Sequence, residues 1–138
     1  MQSYTDLFDQ RGTAYDRAMR LCPDARRAEF LQAIAPIAIT PGMRVGDVPA
    51  GGGYLKNHLP PDVLWEGHEP CATFLHHRVS GTATSRPLLP LPWANAALDA
   101  AISLAGVHHL EDKRPLFSEV ARVLKPGSRL GLVWNVRD

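Results

Sequence analysis

The sequence predicts an α/β fold, a doubly wound and mostly parallel sheet of about five strands with helices on both faces. From Met43 onward, short apolar runs alternate with turn-rich or helical segments, a pattern typical of strands and helices that alternate around a parallel sheet. The run 98–104 is the most apolar of them, as expected of a central strand that is buried on both faces.

Length and composition predict a single globular domain. The chain has 138 residues, of which 45% are hydrophobic. Lys and Arg number 15 against 14 Asp and Glu, so net charge favours neither nucleic acid nor an anionic membrane as a partner. Cys22 and Cys71 have no second thiol at metal-ligand spacing, so we expect free thiols and no metal site. Without a leader-like N-terminus or a long unbroken apolar run, a cytoplasmic protein is expected.

The predicted elements follow from turn residues and hydrophobic spacing. Residues 1–42 are expected to form a helical N-terminal arm, in which Asp24 would cap a helix that Pro36 and the pair Pro41-Gly42 end. Residues 43–138 are expected to form the α/β core. Its predicted strands are 44–48, 63–67, a poorly alternating third at 81–86, 98–104 and 129–136, and its predicted helices are 52–59, 71–78 and 112–125.

A glycine-rich loop at 45–53, with the sequence VGDVPAGGG, joins the first predicted strand to a helix. Glycines allow unusual φ angles and let a ligand approach the backbone closely, and N–H groups at a helix start offer donors. Lys56 stands where a dinucleotide-binding loop would need its third glycine, and no Gly-Lys-Ser/Thr follows as a P-loop requires. The loop is either a ligand site of another kind or a tight turn.

An acid follows the second predicted strand. Glu69 comes 22 positions after Asp47, and a carboxylate at the C-terminal tip of that strand can accept both hydrogen bonds of a ribose diol. Glu66 is the competing candidate. Glu69, which precedes Pro70, is alternatively a cap for the next helix, and Asp47 is either a ligand contact or a buried structural acid.

Three segments, in order, resemble the class I S-adenosylmethionine-dependent methyltransferases, in the small-molecule branch often called type 11. They are the loop at 45–53, the stretch from Leu91-Pro92-Trp93 to the His108-His109 pair, and 116–132 with its RVLKPG turn. The resemblance implies a Rossmann-like fold and methyl transfer from S-adenosylmethionine to a small-molecule O, N or C nucleophile, with S-adenosylhomocysteine as product. The family continues through a further helix and an antiparallel strand pair, so this chain is expected to be truncated after the fifth strand.

The resemblance also implies roles for individual residues. Pro49 replaces the family's first glycine, and Pro87 stands where the family carries an acid for the adenine amino group. Holding the acceptor in line with the sulfonium methyl would supply most of the catalysis. The implied cofactor contacts are Asp47, Ala50, Gly51 and Gly53 for the methionine half, Glu69 for the ribose, Leu88 or backbone groups for adenine, and Leu104 and Ala105 for the amino group and sulfonium.

Two features near the implied site have alternative interpretations. His108 is a candidate general base, although the resemblance also explains the His108-His109 pair as a scaffold feature, and adjacent helical residues point about 100° apart, which disfavours a shared metal. Tyr15 belongs either to a lid over the cofactor or to an amphipathic helix that packs its aromatic residues on the sheet.

The fifth predicted strand suggests a partner. Strand 129–136 is apolar on both faces and would form a sheet edge, which we expect to be covered by the N-terminal arm or by a second copy in a homodimer.

The first alternative function is an S-adenosylmethionine-binding module without its own activity, regulatory or half of an assembly. The second is a nicotinamide-dependent oxidoreductase.

Overall fold

A computed structural model describes residues 4–71, 87–104 and 110–133, with side chains from Gln10 onward. Its α-helices are α1 (Tyr4–Leu21), α2 (Arg27–Ile34) and α3 (Arg114–Val123). Its strands are β1 (Arg44–Asp47), β2 (Leu64–Gly67), β3 (Leu98–Leu104) and β4 (Leu124–Val133). Short 3-10 helices cover Ala35–Ile37 and Tyr54–His58.

The described strands form one parallel sheet with the order β2-β1-β3-β4. The chain moves outward from β1 to β2 and then returns to the other side of β1, so the winding direction reverses between β1 and β3. This topology confirms the predicted doubly wound α/β fold. The weak third strand expected at 81–86, and the helix expected over 71–78 beyond Cys71, lie outside the described residues.

The sheet is buried on both faces. On one face, α2 packs Phe30 and Ala33 against Val45 and Ile102. On the other face, Leu116, Val120 and Val123 of α3 pack with Val48 and Leu98. The most apolar predicted strand is therefore central, because β3 lies between β1 and β4 and both clusters include its residues.

Close packing of α2 on β4 depends on a residue without a side chain. A Cβ atom at Gly131 would lie 2.4 Å from the Ala33 carbonyl oxygen and 2.6 Å from the Ile37 side chain. Glycine therefore allows the backbones of α2 and β4 to approach each other.

Several predicted boundaries are wrong, and the helix expected at 52–59 is the 3-10 helix Tyr54–His58. Asp24 does not cap α2: the helix begins at Arg27 after Arg26, which makes no side-chain capping bond, and Asp24 contributes its backbone carbonyl to a turn and its carboxylate to an ion pair with Arg27 at 3.8 Å. The helix expected at 112–125 ends at Val123, because Leu124 already pairs with Leu98 and so opens β4. A register irregularity follows, where Pro126 has no N–H for the ladder and Gly127 has a φ of +80°.

The described residues also bear on the expectations for cysteines, metal binding and membrane spans. Cys22 is exposed and Cys71 is buried, and both are free thiols as predicted. No group of three or more His, Cys, Asp or Glu side chains in the described ranges is arranged to hold a metal ion. None of the helices in the described part of the chain combines the length and apolar character that a bilayer crossing requires. The division into an arm at 1–42 and a core at 43–138 stays a prediction.

Candidate functional site

The glycine loop follows β1 directly and has left-handed backbone at two positions, Gly51 with a φ of +55° and Gly53 with a φ of +84°. Its start is fixed by the neighbouring strand tip, since Ala50 donates a hydrogen bond of 3.0 Å to the carbonyl of His68. A Cβ at Gly51 would lie 3.2 Å from the Tyr54 ring. The loop therefore combines strained φ angles with little room for side chains, which is why the sequence needs glycine there.

Glu69 lies just beyond β2, beside this loop, and is fully buried. One carboxylate oxygen accepts a hydrogen bond from the Gly51 N–H at 2.8 Å, and the other accepts one from the Cys71 N–H at 2.9 Å. A carboxylate oxygen has two lone pairs and accepts more than one hydrogen bond. Glu69 thus has a structural role at the loop and remains chemically able to accept the hydroxyl groups of a ligand.

Glu66, the competing acid, is engaged elsewhere. Its carboxylate accepts two hydrogen bonds from the Arg44 guanidinium, at 2.7 and 2.9 Å. Because Arg44 is the first residue of β1 and the glycine loop follows the last, this pair forms away from the loop. The contacts favour Glu69 over Glu66 as the acid of the site.

Asp47, the last residue of β1, is a buried acid whose carboxylate accepts a hydrogen bond from the Trp65 indole N–H at 3.1 Å. The pKa of Asp47 is raised from its ordinary value to about 8, mainly by burial and also by the negative charge of Glu69, while the Trp65 hydrogen bond opposes the rise. Two buried carboxyl groups at adjacent strand tips favour a ligand that carries positive charge.

The N-terminal helix reaches the glycine loop through Asp16. Its buried carboxylate accepts a hydrogen bond from the Tyr54 hydroxyl at 2.5 Å and pairs with Arg20 at 3.0 Å. A Cβ at Gly52 would lie 2.6 Å from the same carboxylate. Burial and the Asp16 hydrogen bond together raise the pKa of the Tyr54 hydroxyl, so Tyr54 stays protonated and donates. Helix α1 therefore packs directly against the loop.

Tyr15 contributes to the same contact. Its ring lies 6.0 Å from the Tyr54 ring and packs against the core on the α2 face. Its hydroxyl makes a hydrogen bond with the Arg26 guanidinium, and burial raises its pKa. The observed packing corresponds to the amphipathic-helix interpretation, and a lid role stays a prediction.

Leu88 and Leu104 have different surroundings. Leu88 is half-buried among the hydrophobic residues on the α3 face, and its carbonyl oxygen lies 2.9 Å from Nε2 of the buried His68. Leu104 is the buried last residue of β3. Its neighbour Ser103 is also buried, and its hydroxyl has no hydrogen-bond partner among the described residues. Ala105 and His108 lie outside the described residues.

Several residues of the site were not found by sequence reasoning. Asp16, Tyr54, Trp65 and His68 interact through side chains that come together only on folding. No periodic pattern marks an isolated polar residue as buried. The only available signal was position, since His68 stands between the last residue of a strand and the candidate acid.

A protein-family model described as a methyltransferase domain matches residues 71–132. An O-methyltransferase of Pyrenophora dematioidea is 44% identical over 50 residues, which are 36% of this chain and 19% of that protein. A protein of Mycobacterium bovis without an assigned function is 29% identical over an alignment that covers 92% of this chain and 53% of that protein. The chain thus spans from about a fifth to about half of the length of these curated relatives.

Solved structures with the same fold include further methyltransferases. A methyltransferase from Methanococcus maripaludis superposes with a TM-score of 0.71 at 18% identity, over 89% of this chain and 64% of that one. One from Aquifex aeolicus gives a TM-score of 0.67 at 17% identity, over 89% and 76%. The cyclase SpnF gives a TM-score of 0.76 at 16% identity, over 94% and 60%. At these identities the likeness shows the fold.

Proposed function

We propose that this chain, whose residues 71–132 match a methyltransferase-domain model, is a class I S-adenosylmethionine-dependent methyltransferase that transfers the methyl group of S-adenosylmethionine to a small-molecule O, N or C nucleophile. The observation that carries the proposal is the contact between the glycine loop and a buried acid: the Gly51 N–H donates a hydrogen bond of 2.8 Å to the Glu69 carboxylate. In an open α/β sheet, ligands bind beyond the carboxyl ends of the strands at the switch point, which here lies between β1 and β3.

The residues at these strand tips fit the cofactor. Asp47 and the loop backbone at Ala50, Gly51 and Gly53 would hold the methionine half, and Glu69 the ribose hydroxyls. The tip of β3 would contact the amino group and the sulfonium through Leu104 and Ala105. The hydroxyl of buried Ser103, which has no hydrogen-bond partner among the described residues, supports a polar ligand near this tip. Leu88 would contact adenine.

Charge supports the same assignment. S-adenosylmethionine carries a positive sulfonium and a positive amino group, and Asp47 and Glu69 bring two buried carboxyl groups to the strand tips that it would bridge. Attraction between opposite charges is strongest where water is excluded. A cationic ligand would therefore favour the ionised form of Asp47, whose pKa is raised to about 8 without it.

The bound cofactor supplies an electrophilic methyl group on a positively charged sulfur. The residues of the chain then have a positioning role: the loop and Glu69 fix the nucleoside and methionine parts, and α1 shields the loop from water through Asp16 and Tyr54. Proximity and orientation of that kind account for several orders of magnitude in rate. His108 remains the proposed general base for acceptors that must lose a proton.

A second candidate function is cofactor binding without methyl transfer. The fold is compatible with it, because SpnF, which is described as a cyclase, has the same fold. A fold does not fix the chemistry of its site. In this case the chain would bind S-adenosylmethionine and leave it intact.

The two functions differ in turnover. The purified chain is incubated with S-adenosylmethionine and panels of phenols, amines and carbon acids, and formation of S-adenosylhomocysteine is followed by mass spectrometry. Methyl transfer to at least one acceptor, lost in Gly51→Val and retained in Glu66→Gln, is the expected result. Tight binding without product across the panels would favour the second function.

A homodimer through the outer edge of β4 is also proposed. In the described residues β4 pairs only with β3, and its Leu130 and Leu132 pack on the core from one side. The alternative cover was the N-terminal arm; its residues Ala33 and Pro36 contact β4 at Gly131 and Arg129 on the face of the sheet, and its helix α1 contacts the glycine loop through Asp16. The second copy therefore remains the proposed cover, and the cytoplasmic location stays a prediction.

A further inference from the structure

His68 joins four segments of the chain at the edge of the proposed cofactor site. Its N–H donates to the carbonyl of Asp47 at 2.8 Å, and its carbonyl accepts from Ala50 at 3.0 Å. Its buried imidazole places Nε2 2.9 Å from the carbonyl oxygen of Leu88 and 3.1 Å from that of Pro87. The end of β1, the glycine loop, the end of β2 and the segment at 87–88 therefore meet at one residue.

The protonation of this imidazole follows from its partners. Nε2 lies within hydrogen-bond distance of two carbonyl oxygens, which only accept hydrogen bonds, so Nε2 carries the hydrogen and donates it. The Trp93 ring packs against the imidazole at 6.3 Å, edge to face, and fixes its orientation. His68 is thus a rigid donor that holds the backbone of Pro87 and Leu88.

The position of this backbone matters for the purine. Glu69, the proposed ribose contact, is the next residue after His68, and the base of a nucleoside extends from the ribose on the side away from the methionine half. Residues 87 and 88 carry no charged side chain, so a purine there meets the Leu88 side chain and backbone groups. Backbone groups select between purines only when their positions are fixed.

We infer that His68 is a positioning residue for cofactor selectivity: its imidazole fixes Pro87 and Leu88 as the wall that distinguishes adenine from other purines. The inference rests on the proposed function, because it assumes a nucleoside at Glu69. Adenine and hypoxanthine have similar shapes but differ in hydrogen bonding at two adjacent ring positions. Backbone groups in fixed positions therefore bind one of these purines more tightly than the other, whereas backbone groups that can move bind both.

The test compares S-adenosylhomocysteine with S-inosylhomocysteine by calorimetry on the full chain. We expect the wild type to bind the adenosyl compound at least about tenfold more tightly, and His68→Leu to lose most of this preference. His68→Gln should keep the preference within about threefold, because its amide nitrogen lies near the position of Nε2. His68→Asn is too short to reach the carbonyls and should behave like His68→Leu. His58→Gln is the matched control, since His58 stacks on Phe30 away from the strand tips.

The readout is the ratio of the two dissociation constants, which a general loss of stability leaves unchanged. An unaltered ratio in both His68→Leu and His68→Asn overturns the inference, as does wild-type protein that binds both compounds equally. The second outcome leaves the proposed function standing. Wild-type protein that binds neither compound overturns the proposed function and this inference together. Thermal unfolding of each variant identifies any that fail to fold, and the ratio is then read from the others.

Discussion

At the scale of single residues, the site depends on which acid forms an ion pair elsewhere and which acid binds the glycine loop. Glu66 and Glu69 are three positions apart, but one pairs with Arg44 and the other binds the N–H groups of Gly51 and Cys71. This difference separates a structural ion pair from the proposed ligand contact. It also provides a matched pair of variants.

Glu69→Ala should weaken binding of S-adenosylhomocysteine about tenfold to a hundredfold, the equivalent of about 1.5–3 kcal/mol for charge-assisted hydrogen bonds. The variant should also lose some stability, because the Gly51 and Cys71 N–H groups lose their acceptor. Glu66→Ala should change the dissociation constant less than about twofold. Calorimetry of both variants measures the contrast, and a larger effect at Glu66 would contradict the assignment of the acid.

Asp47→Asn should change how stability depends on pH. The folded protein holds the Asp47 proton up to about pH 8, whereas the unfolded chain releases it near the ordinary value of 3.8. The free energy of unfolding of the wild type should therefore fall as pH rises from about 4 to about 8 and level off above that. The neutral Asn variant should lack this decline. The difference in free energy of unfolding, variant minus wild type, should be larger at pH 8.5 than at pH 5 by about 1 kcal/mol or more.

Urea unfolding at pH 5, 7 and 8.5 checks this expectation. Asn can still accept the Trp65 hydrogen bond, so the packing of Trp65 should not change. Parallel stability curves for the two proteins would show that Asp47 does not hold its proton. In the wild type, affinity for S-adenosylmethionine should rise with pH more steeply than affinity for S-adenosylhomocysteine, which lacks the sulfonium charge.

At the scale of elements, helix α1 is linked to the residue that follows the glycine loop by a partly buried hydrogen bond between Asp16 and Tyr54. Tyr54→Phe should lower the free energy of unfolding by about 1–2 kcal/mol, because the buried carboxylate loses a donor. Asp16→Asn should have an effect of similar size. The double variant should cost less than the sum of the two single changes.

A double-mutant cycle from urea unfolding measures this coupling. A coupling energy near zero would mean that α1 does not depend on the loop for its position. Cofactor affinity should fall in parallel with stability in both single variants, since the same hydrogen bond orders the loop next to Gly52.

The elements also show what the sequence could and could not predict. The strand predicted at 98–104 is confirmed as β3 (Leu98–Leu104), because a continuous apolar run is the signal of a strand buried on both faces. The Asp24 cap was wrong, since a capping residue type is common in turns that precede a helix without capping it. The start of β4 was missed because pairing with β3 depends on a partner distant in sequence.

The candidate site was predictable only in part. The loop glycines and Glu69 follow from spacing along the chain, and the structure brings Gly51 and Glu69 into contact. The roles of Asp16 and His68 were not predictable, because each depends on a tertiary contact with a segment that has no sequence relation to it. Local sequence patterns identify helices and strands, whereas contacts between distant side chains can be identified only in the folded structure.

At the scale of the whole molecule, the outer edge of β4 predicts self-association. Open strand edges pair with other chains unless charge, proline or a partner protects them. We expect sedimentation velocity between about 5 and 200 μM to show a monomer–dimer equilibrium, with a dissociation constant in the micromolar range typical of a small interface. Trp134→Lys should shift it toward monomer, and Leu21→Lys, at an exposed site on α1, should not. A wild-type monomer at the highest concentration would contradict the proposed dimer.

The central claim is that S-adenosylmethionine binds across the tips of β1, β2 and β3, against the backbone of the glycine loop. Calorimetric titration of wild-type protein, Gly51→Val and Gly42→Val tests it most directly. Both glycines have positive φ angles, but a Cβ at Gly42 meets nothing within 4 Å, whereas one at Gly51 lies in the loop next to Tyr54. We predict binding to the wild type and to Gly42→Val, and its loss in folded Gly51→Val. Unchanged affinity in folded Gly51→Val, or no heat from the wild type with either S-adenosylmethionine or S-adenosylhomocysteine, would contradict the claim.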